Sequence, residues 1–382
     1  MNSSYNRGPM KFATRLPAVD LLKVVAAQCI VLHHFSAYGP LSDALATAVP
    51  VLISWLYDNA RMAVQFFLVI GGFLAARSLA KHPITTLPEL ARITLQRHLR
   101  LALPFAGALI IAIISAMLAR QWMDDPFIPD APTWRQFISH LFFAQGVLGH
   151  EALTAGAWYV AIDFQLFATL AALAWLGTRL HRASSFPFML LLTILTGLSL
   201  FWFNTLPALD NWAPYFFGAY GLGVAAWWSS QGEKRWFTLI ALLAILALAL
   251  EFRWRLSIAL MVAAFLSLMD RLPTRILHTP FPVIHALGQR AYALFLVHFP
   301  VLMLVNACFA EWNLAGPWAG AAGCLTFWCF SMLGAHAFHA YVELPASRFH
   351  PGHLFDRCRS VWLGRLQYRI ATTGLLVLAI PV

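Results

Sequence analysis

Apolar residues along this chain fall in long blocks, and charged or turn-forming residues fall between them. Ten such blocks can be drawn, at roughly 20–38, 62–80, 101–120, 157–176, 186–203, 213–229, 237–250, 256–269, 291–309 and 318–341. Most are long enough for a helix to cross a hydrocarbon core, which takes about 20 residues. The blocks at 237–250 and 256–269 are shorter, and Glu251, Arg253 and Arg255 stand between them. The run at 241–250, nothing but Ala, Leu and Ile, reads as a lipid-facing helix. The pattern predicts an all-α polytopic transmembrane bundle of about ten spans over 1–350. A basic tail with a short apolar end, 351–382, follows it.

Composition supports the bilayer as a partner. The 382 residues are 60% hydrophobic and 11% charged, with 30 Phe and 15 Trp, too little charge to cover a soluble domain of this size. The net charge of +10 is not a nucleic-acid signature, and no nucleic-acid partner is expected. With the N-terminus inside, every Lys and Arg except Arg61, Arg120, Arg135, Arg253 and Arg255 falls on the cytoplasmic side, the bias of inner loops. Both termini are therefore expected in the cytoplasm. The first apolar block carries its charges within it and lacks a small-residue cleavage site, so it is not read as a removable leader. The five cysteines form no CxxC pair, and neither a disulfide framework nor a metal site is expected. No internal repeat of the transporter kind stands out.

The polar residues inside the blocks carry the candidate chemistry, because each is costly in lipid and needs a partner or a cavity. In the first block Lys23 precedes His34 by eleven positions, roughly 16 Å and close to three turns, so the two share a helix face. Asp20 lies about 40° from His34 on the same wheel, whereas His33 points about 100° away. Gly71 and Gly72 allow close approach of a second helix or a thin substrate chain. Arg97 and Arg100, at i,i+3 near the cytoplasmic mouth of the third block, suit a phosphate or pyrophosphate, or simply anchor the span. Asp163 and Gln165, in the fourth block, must face the bundle interior or a cavity. The ninth carries His298 just before Pro300. The tenth ends in His339 and Glu343, spaced i,i+4 so that they can pair with each other.

These segments, in this order, resemble the acyltransferase-3 family of integral-membrane O-acyltransferases. The resemblance lies in Lys23 and His34 with ten residues between them, in 64–73, in Arg97-His98-Leu99-Arg100 through Pro104, in 158–167, in 292–300 and in Tyr341-Val342-Glu343-Leu344-Pro345. Three positions depart from the family's usual pattern: Gly71 replaces a serine, Gln65 an Asp or Pro, and Asp163 a glutamate. A role resting on that serine hydroxyl cannot be carried over. No extracytoplasmic hydrolase-like domain is recognised at the C-terminus, so the acyl group is expected to leave from the membrane domain or through a separate glycan-assembly partner.

The resemblance implies transfer of an acyl group, commonly acetyl from acetyl-CoA, to a hydroxyl of a cell-surface or exported glycan in a bacterial inner membrane. Arg97 and Arg100, with Lys23, become candidates for the donor's phosphates. His34 becomes the catalytic imidazole, acting as general base or as acyl carrier, and Asp20 or Asp163 candidates to orient it. Asp163 is taken with His34 as the catalytic pair; Asp20, His33, His298 and Glu343 remain further candidates. A proton-coupled secondary transporter draws on the same intramembrane His, Asp and Glu residues and is the rival reading. A catalytically dead scaffold is a third.

Overall fold

The computed structural model describes residues 16–182, 184–269 and 282–348; the basic tail and its apolar end lie outside these. The described residues are helical without strands. In chain order the helices are α1 (Pro17–Ala37), α2 (Pro40–Ala46), α3 (Pro50–Asn59), α4 (Val64–Leu79), α5 (Leu87–Ala119), α6 (Trp134–Leu141), α7 (Ala157–Leu180) and α8 (Phe186–Phe201). There follow α9 (Ala213–Ser230), α10 (Lys234–Leu250), α11 (Trp254–Ser267), α12 (Pro282–Gln289), α13 (Ala291–Glu311), α14 (Pro317–Phe338) and α15 (Leu344–Ser347). Proline in the first turn starts many of them, where its missing N–H costs nothing. At α5 a reciprocal cap between Thr86 and Glu89 adds to this.

Each of the ten apolar blocks falls in a helix. Seven helical segments are long and apolar enough to cross a membrane: Pro17–Ala37, Pro50–Leu79, Leu87–Ala119, Ala157–Leu180, Phe186–Thr205, Ala291–Glu311 and Pro317–Ser347. The second starts a dozen residues earlier than its apolar block, because α3 runs through a 3₁₀ turn, Ala60–Ala63, into α4. The blocks in α9, α10 and α11 fall short. α10 and α11 are brief, and α9 is rich in Gly, Tyr, Trp and Ser. α9 has those residues because its neighbours are protein. All of it except Pro214 and Trp228 is buried, within a sheath of α4, α7, α8, α10 and α11.

Two apolar cores result. One gathers α4, α8, α9, α10, α11 and one face of α7; the other gathers α2, α5, α13, α14 and much of α1. Hydrophobicity does not drive helices together inside lipid, so close backbone packing must do it. A Cβ at Gly72 would lie 2.0 Å from the Tyr220 carbonyl oxygen, and one at Gly223 1.9 Å from that of Val69, so α4 and α9 meet backbone to backbone. Exposed Trp122, Trp134, Trp202, Trp212, Trp254, Trp312 and Trp318 cluster in or beside the connections after α5, α8, α10 and α13, as at a membrane–water interface. α1 and α7 contribute to both cores, and between the cores lies a cavity.

Candidate active site

The cavity holds about 470 Å³ and is lined from α1, α4, α5, α7, α12, α13 and a π-helical turn, His339–Glu343, that follows α14. Asp20, Lys23, Arg97, Arg100, Asp163 and Glu343, drawn from four separate blocks of sequence, all line it. Its three carboxylates are each engaged. Asp20 Oδ2 is 2.7 Å from His285 Nδ1, on α12. Asp163 Oδ2 accepts a 2.5 Å hydrogen bond from Arg97, whose guanidinium also lies 5.2 Å above the Phe167 ring. Glu343 Oε2 is 2.8 Å from His339 Nδ1, the i,i+4 pair within one turn. Lys23 and Arg100 make no hydrogen bond or ion pair among the described residues. The cavity therefore presents two cations that stand outside its three pairs.

The glycines divide their labour. Gly72 packs on α9, whereas a Cβ at Gly71 would face the cavity side, 3.3 Å from the Tyr220 ring and 3.4 Å from Asp163 Oδ1. Tyr159 and Tyr292 line the cavity, and Tyr292 donates to the Leu101 carbonyl at 3.2 Å. Tyr220 Oη and Arg97 Nε are buried without a hydrogen-bond partner among the described residues. Tyr159 and Tyr292 lie inside the segments that carry the resemblance and were legible as neighbours of the chemistry. Nothing along α9 distinguishes Tyr220 from a packing aromatic. Gln165 is structural: its side-chain oxygen accepts from Ala213 N at 3.0 Å, at the start of α9.

His34 does not line this cavity. It lies farther along α1, 8% exposed, with Nδ1 2.7 Å from Nε2 of the fully buried His298 on α13. The two rings are nearly coplanar, 20° apart with centroids 4.9 Å apart. His298 Nδ1 is 3.0 Å from the Leu294 carbonyl oxygen. Neither Asp20 nor Asp163 touches either imidazole. The side chain hydrogen-bonded to His34 is a second histidine, and Asp163 is paired with Arg97. His33 turns away towards the Leu56 carbonyl, 3.4 Å off, and the Tyr57 ring. Phe67, Tyr159 and Phe295 line the cavity and pack ring against ring in that order, and the Phe295 ring is 6.1 Å from that of His298. On another flank His34 meets Tyr38 and Phe299, and Phe127, from the connection after α5, packs on both of these. The turn that releases Tyr38 needs Gly39, whose φ of +83° and contact with Asn306 leave no room for a side chain.

Among the described residues no group of three His, Cys, Asp or Glu side chains is arranged to hold a metal, and Cys29, Cys308, Cys324 and Cys329 are unpaired.

With seven helices long and apolar enough to cross a bilayer, the fold is that of a multi-pass membrane protein. The chain belongs to the acyltransferase-3 family, whose acyltransferase domain matches residues 16–336. It is also 27% identical over 169 residues to a Caenorhabditis elegans protein named regulator of hypoxia-inducible factor 1, a match covering 41% of this chain and 33% of that protein. The chain thus spans about a third of that relative's length. No solved structure matches it.

Proposed function

We propose that this protein moves an acyl group, acetyl in the simplest case, from cytosolic acyl-CoA to a hydroxyl of a cell-surface or exported glycan, acting in a bacterial inner membrane with both termini in the cytoplasm. The observation that carries the reading is the cavity's charge arrangement: Asp20, Asp163 and Glu343 are each paired, and Lys23 and Arg100 have no hydrogen bond or ion pair among the described residues. Free cations beside neutralised acids favour a polyanion, and the phosphates of CoA are one. Arg97, with its carboxylate partner, shapes that wall and holds Asp163 in place. Donor phosphates held there leave the pantetheine arm to run along α1 past Phe67, Tyr159 and Phe295, with its thioester towards His34.

At His34, Nε2 makes no hydrogen bond among the described residues, so its lone pair is available. The acceptor hydroxyl gives its proton to that nitrogen as its oxygen attacks the thioester carbonyl carbon. The C–S bond then breaks, and the proton passes from the imidazolium to the departing thiolate. A positioned base of this kind contributes about 10²–10⁴-fold. The connection 121–156, which brings Phe127 up to Tyr38, is the surface from which a glycan would approach. A glycan-assembly protein is the natural partner to present it.

The test is surface-glycan O-acylation, by NMR or mass spectrometry, in cells with the wild-type protein, His34→Ala, or none. An acyl signal with wild type alone, at equal membrane levels of the two proteins, supports the reading. An acyl signal that survives in His34→Ala keeps the activity and removes His34 from it. No difference between the strains favours the transporter.

A further inference from the structure

We propose that His298 is a positioning residue that fixes the tautomer of His34, placing the proton on His34 Nδ1 and keeping Nε2 as the lone-pair nitrogen. The inference rests on the acyl-transfer reading only for its consequence in catalysis; the tautomer itself follows from three atoms. A backbone carbonyl has lone pairs and no proton, so the 3.0 Å contact between His298 Nδ1 and Leu294 O requires the proton on Nδ1. A neutral imidazole protonated there has a bare Nε2, which can only accept. The 2.7 Å contact between His298 Nε2 and His34 Nδ1 then requires a proton on His34 Nδ1. The chain Leu294 C=O, His298, His34 runs one way and ends at His34 Nε2.

The surroundings hold the chain in that direction. His298 is fully buried, and no carboxylate, lysine or arginine hydrogen-bonds either imidazole among the described residues. A protonated His298 would turn two N–H groups on its neighbours and force His34 Nδ1 to accept, which would leave the proton of a neutral His34 on Nε2, where the base is needed. The near-coplanar rings suit an in-plane N–H···N bond. When His34 Nε2 takes a proton, the same bond becomes charge-assisted and strengthens while its proton stays on His34 Nδ1. Replacing the carboxylate that fixes the catalytic imidazole's tautomer in a serine protease costs about 10⁴-fold; a neutral imidazole in the carboxylate's place points to a smaller loss, about 10²-fold.

The deciding experiment is nitrogen NMR of full-length protein carrying ¹⁵N-histidine in lipid, with the His34 signals assigned by their loss in His34→Gln. The wild type is expected to give a protonated Nδ1 and an unprotonated Nε2; a protonated Nε2 in the neutral ring overturns the proposal whatever the activity. His298→Leu is expected to mix the tautomers and lower kcat for acyl transfer about 10²-fold with KM for acetyl-CoA unchanged. In His298→Gln the side-chain oxygen can still accept from Nδ1–H, and most of the rate and the wild-type tautomer should return. A His298→Leu protein with wild-type tautomer and wild-type kcat overturns the proposal, and so does a Gln variant as slow as Leu with the tautomer restored. Should the wild type show the expected nitrogen signals and transfer no acyl group, the acyl-transfer reading fails and the tautomer assignment stands.

Discussion

Around the cavity every lining carboxylate has a partner within hydrogen-bond distance, while Lys23 and Arg100 have none among the described residues. Roughly three helical turns along α1, His34 and His298 hydrogen-bond each other and a backbone carbonyl, and no charged side chain bonds to either among the described residues. The first region is polar, partly open and rich in fixed charge; the second is buried among apolar and aromatic side chains. Fixed charge attracts and holds a charged ligand, yet beside a base it would bias the protonation state. Keeping the two apart lets a single helix serve binding at one end and proton transfer at the other.

Removing the imidazole breaks the comparison most directly. His34→Ala is expected to lower acyl transfer about 10³-fold while donor affinity, read by acetyl-CoA binding to the purified protein, stays within a factor of two or so. A parallel loss of binding would mean the regions are not separate. Next in size is the Arg97–Asp163 pair. Arg97→Met or Asp163→Leu alone strands a largely buried charge and should cost about 3–5 kcal/mol, seen as lost monodisperse protein in detergent. The double substitution should recover much of that loss. If it does not, the pair does more than neutralise the wall.

How far these regions were legible in the sequence follows from the range of each contact. Helical periodicity alone puts Lys23 on the face of His34, and i,i+4 spacing alone pairs His339 with Glu343. The i,i+3 spacing of Arg97 and Arg100 does bring both to one cavity. That Asp163 claims Arg97 and leaves Arg100 free is a contact across 66 positions, which no local rule contains. The bond between His34 and His298 spans 264 positions, and without it a carboxylate was the natural guess for the orienting group. The helices under the ten apolar blocks were legible from hydrophobicity, whereas the short α2, α3, α6, α12 and α15 were not. That α9 is sheathed by protein was written only in its small residues, Gly218, Gly221 and Gly223, whose partners are set by tertiary packing.

Two adjacent glycines sharpen the contrast between scaffold and cavity. In Gly72→Ala the new methyl meets the Tyr220 backbone oxygen, which cannot swing aside, so the cost sits at the upper end of overpacking, about 3 kcal/mol. In Gly71→Ala it meets a ring and a carboxylate that need give only a few tenths of an ångström, and thermal unfolding in detergent should change little. Smaller again is the loss of one loose cation. Lys23→Gln or Arg100→Gln should each raise KM for acetyl-CoA about tenfold with kcat unchanged, and added salt should narrow the gap between variant and wild type. An unchanged KM in both variants would remove the cavity from donor binding.

The smallest effect concerns a third histidine, held neutral for structure alone. His140, on the short α6 in the connection between α5 and α7, is fully buried. Its Nδ1 lies 2.8 Å from the Gln136 carbonyl oxygen, and its Nε2 accepts the Leu153 N–H at 3.1 Å. Burial lowers its pKa from the usual 6.5, since the charged form would lose its water. The unfolded connection therefore takes up a proton at higher pH than the folded one. The stability of this segment is complete above about pH 6.5 and falls as the pH drops through the lower folded value, because a protonated Nε2 can no longer accept from Leu153. Hydrogen exchange at the Leu153 amide, scaled for its intrinsic rate, should show weaker protection at pH 5 than at pH 7.5. In His140→Gln, which has no proton to gain, protection should be the same at both. Should wild type and variant lose protection equally, the acid sensitivity of the connection comes from other groups, and His140 is a packing residue with no part in it.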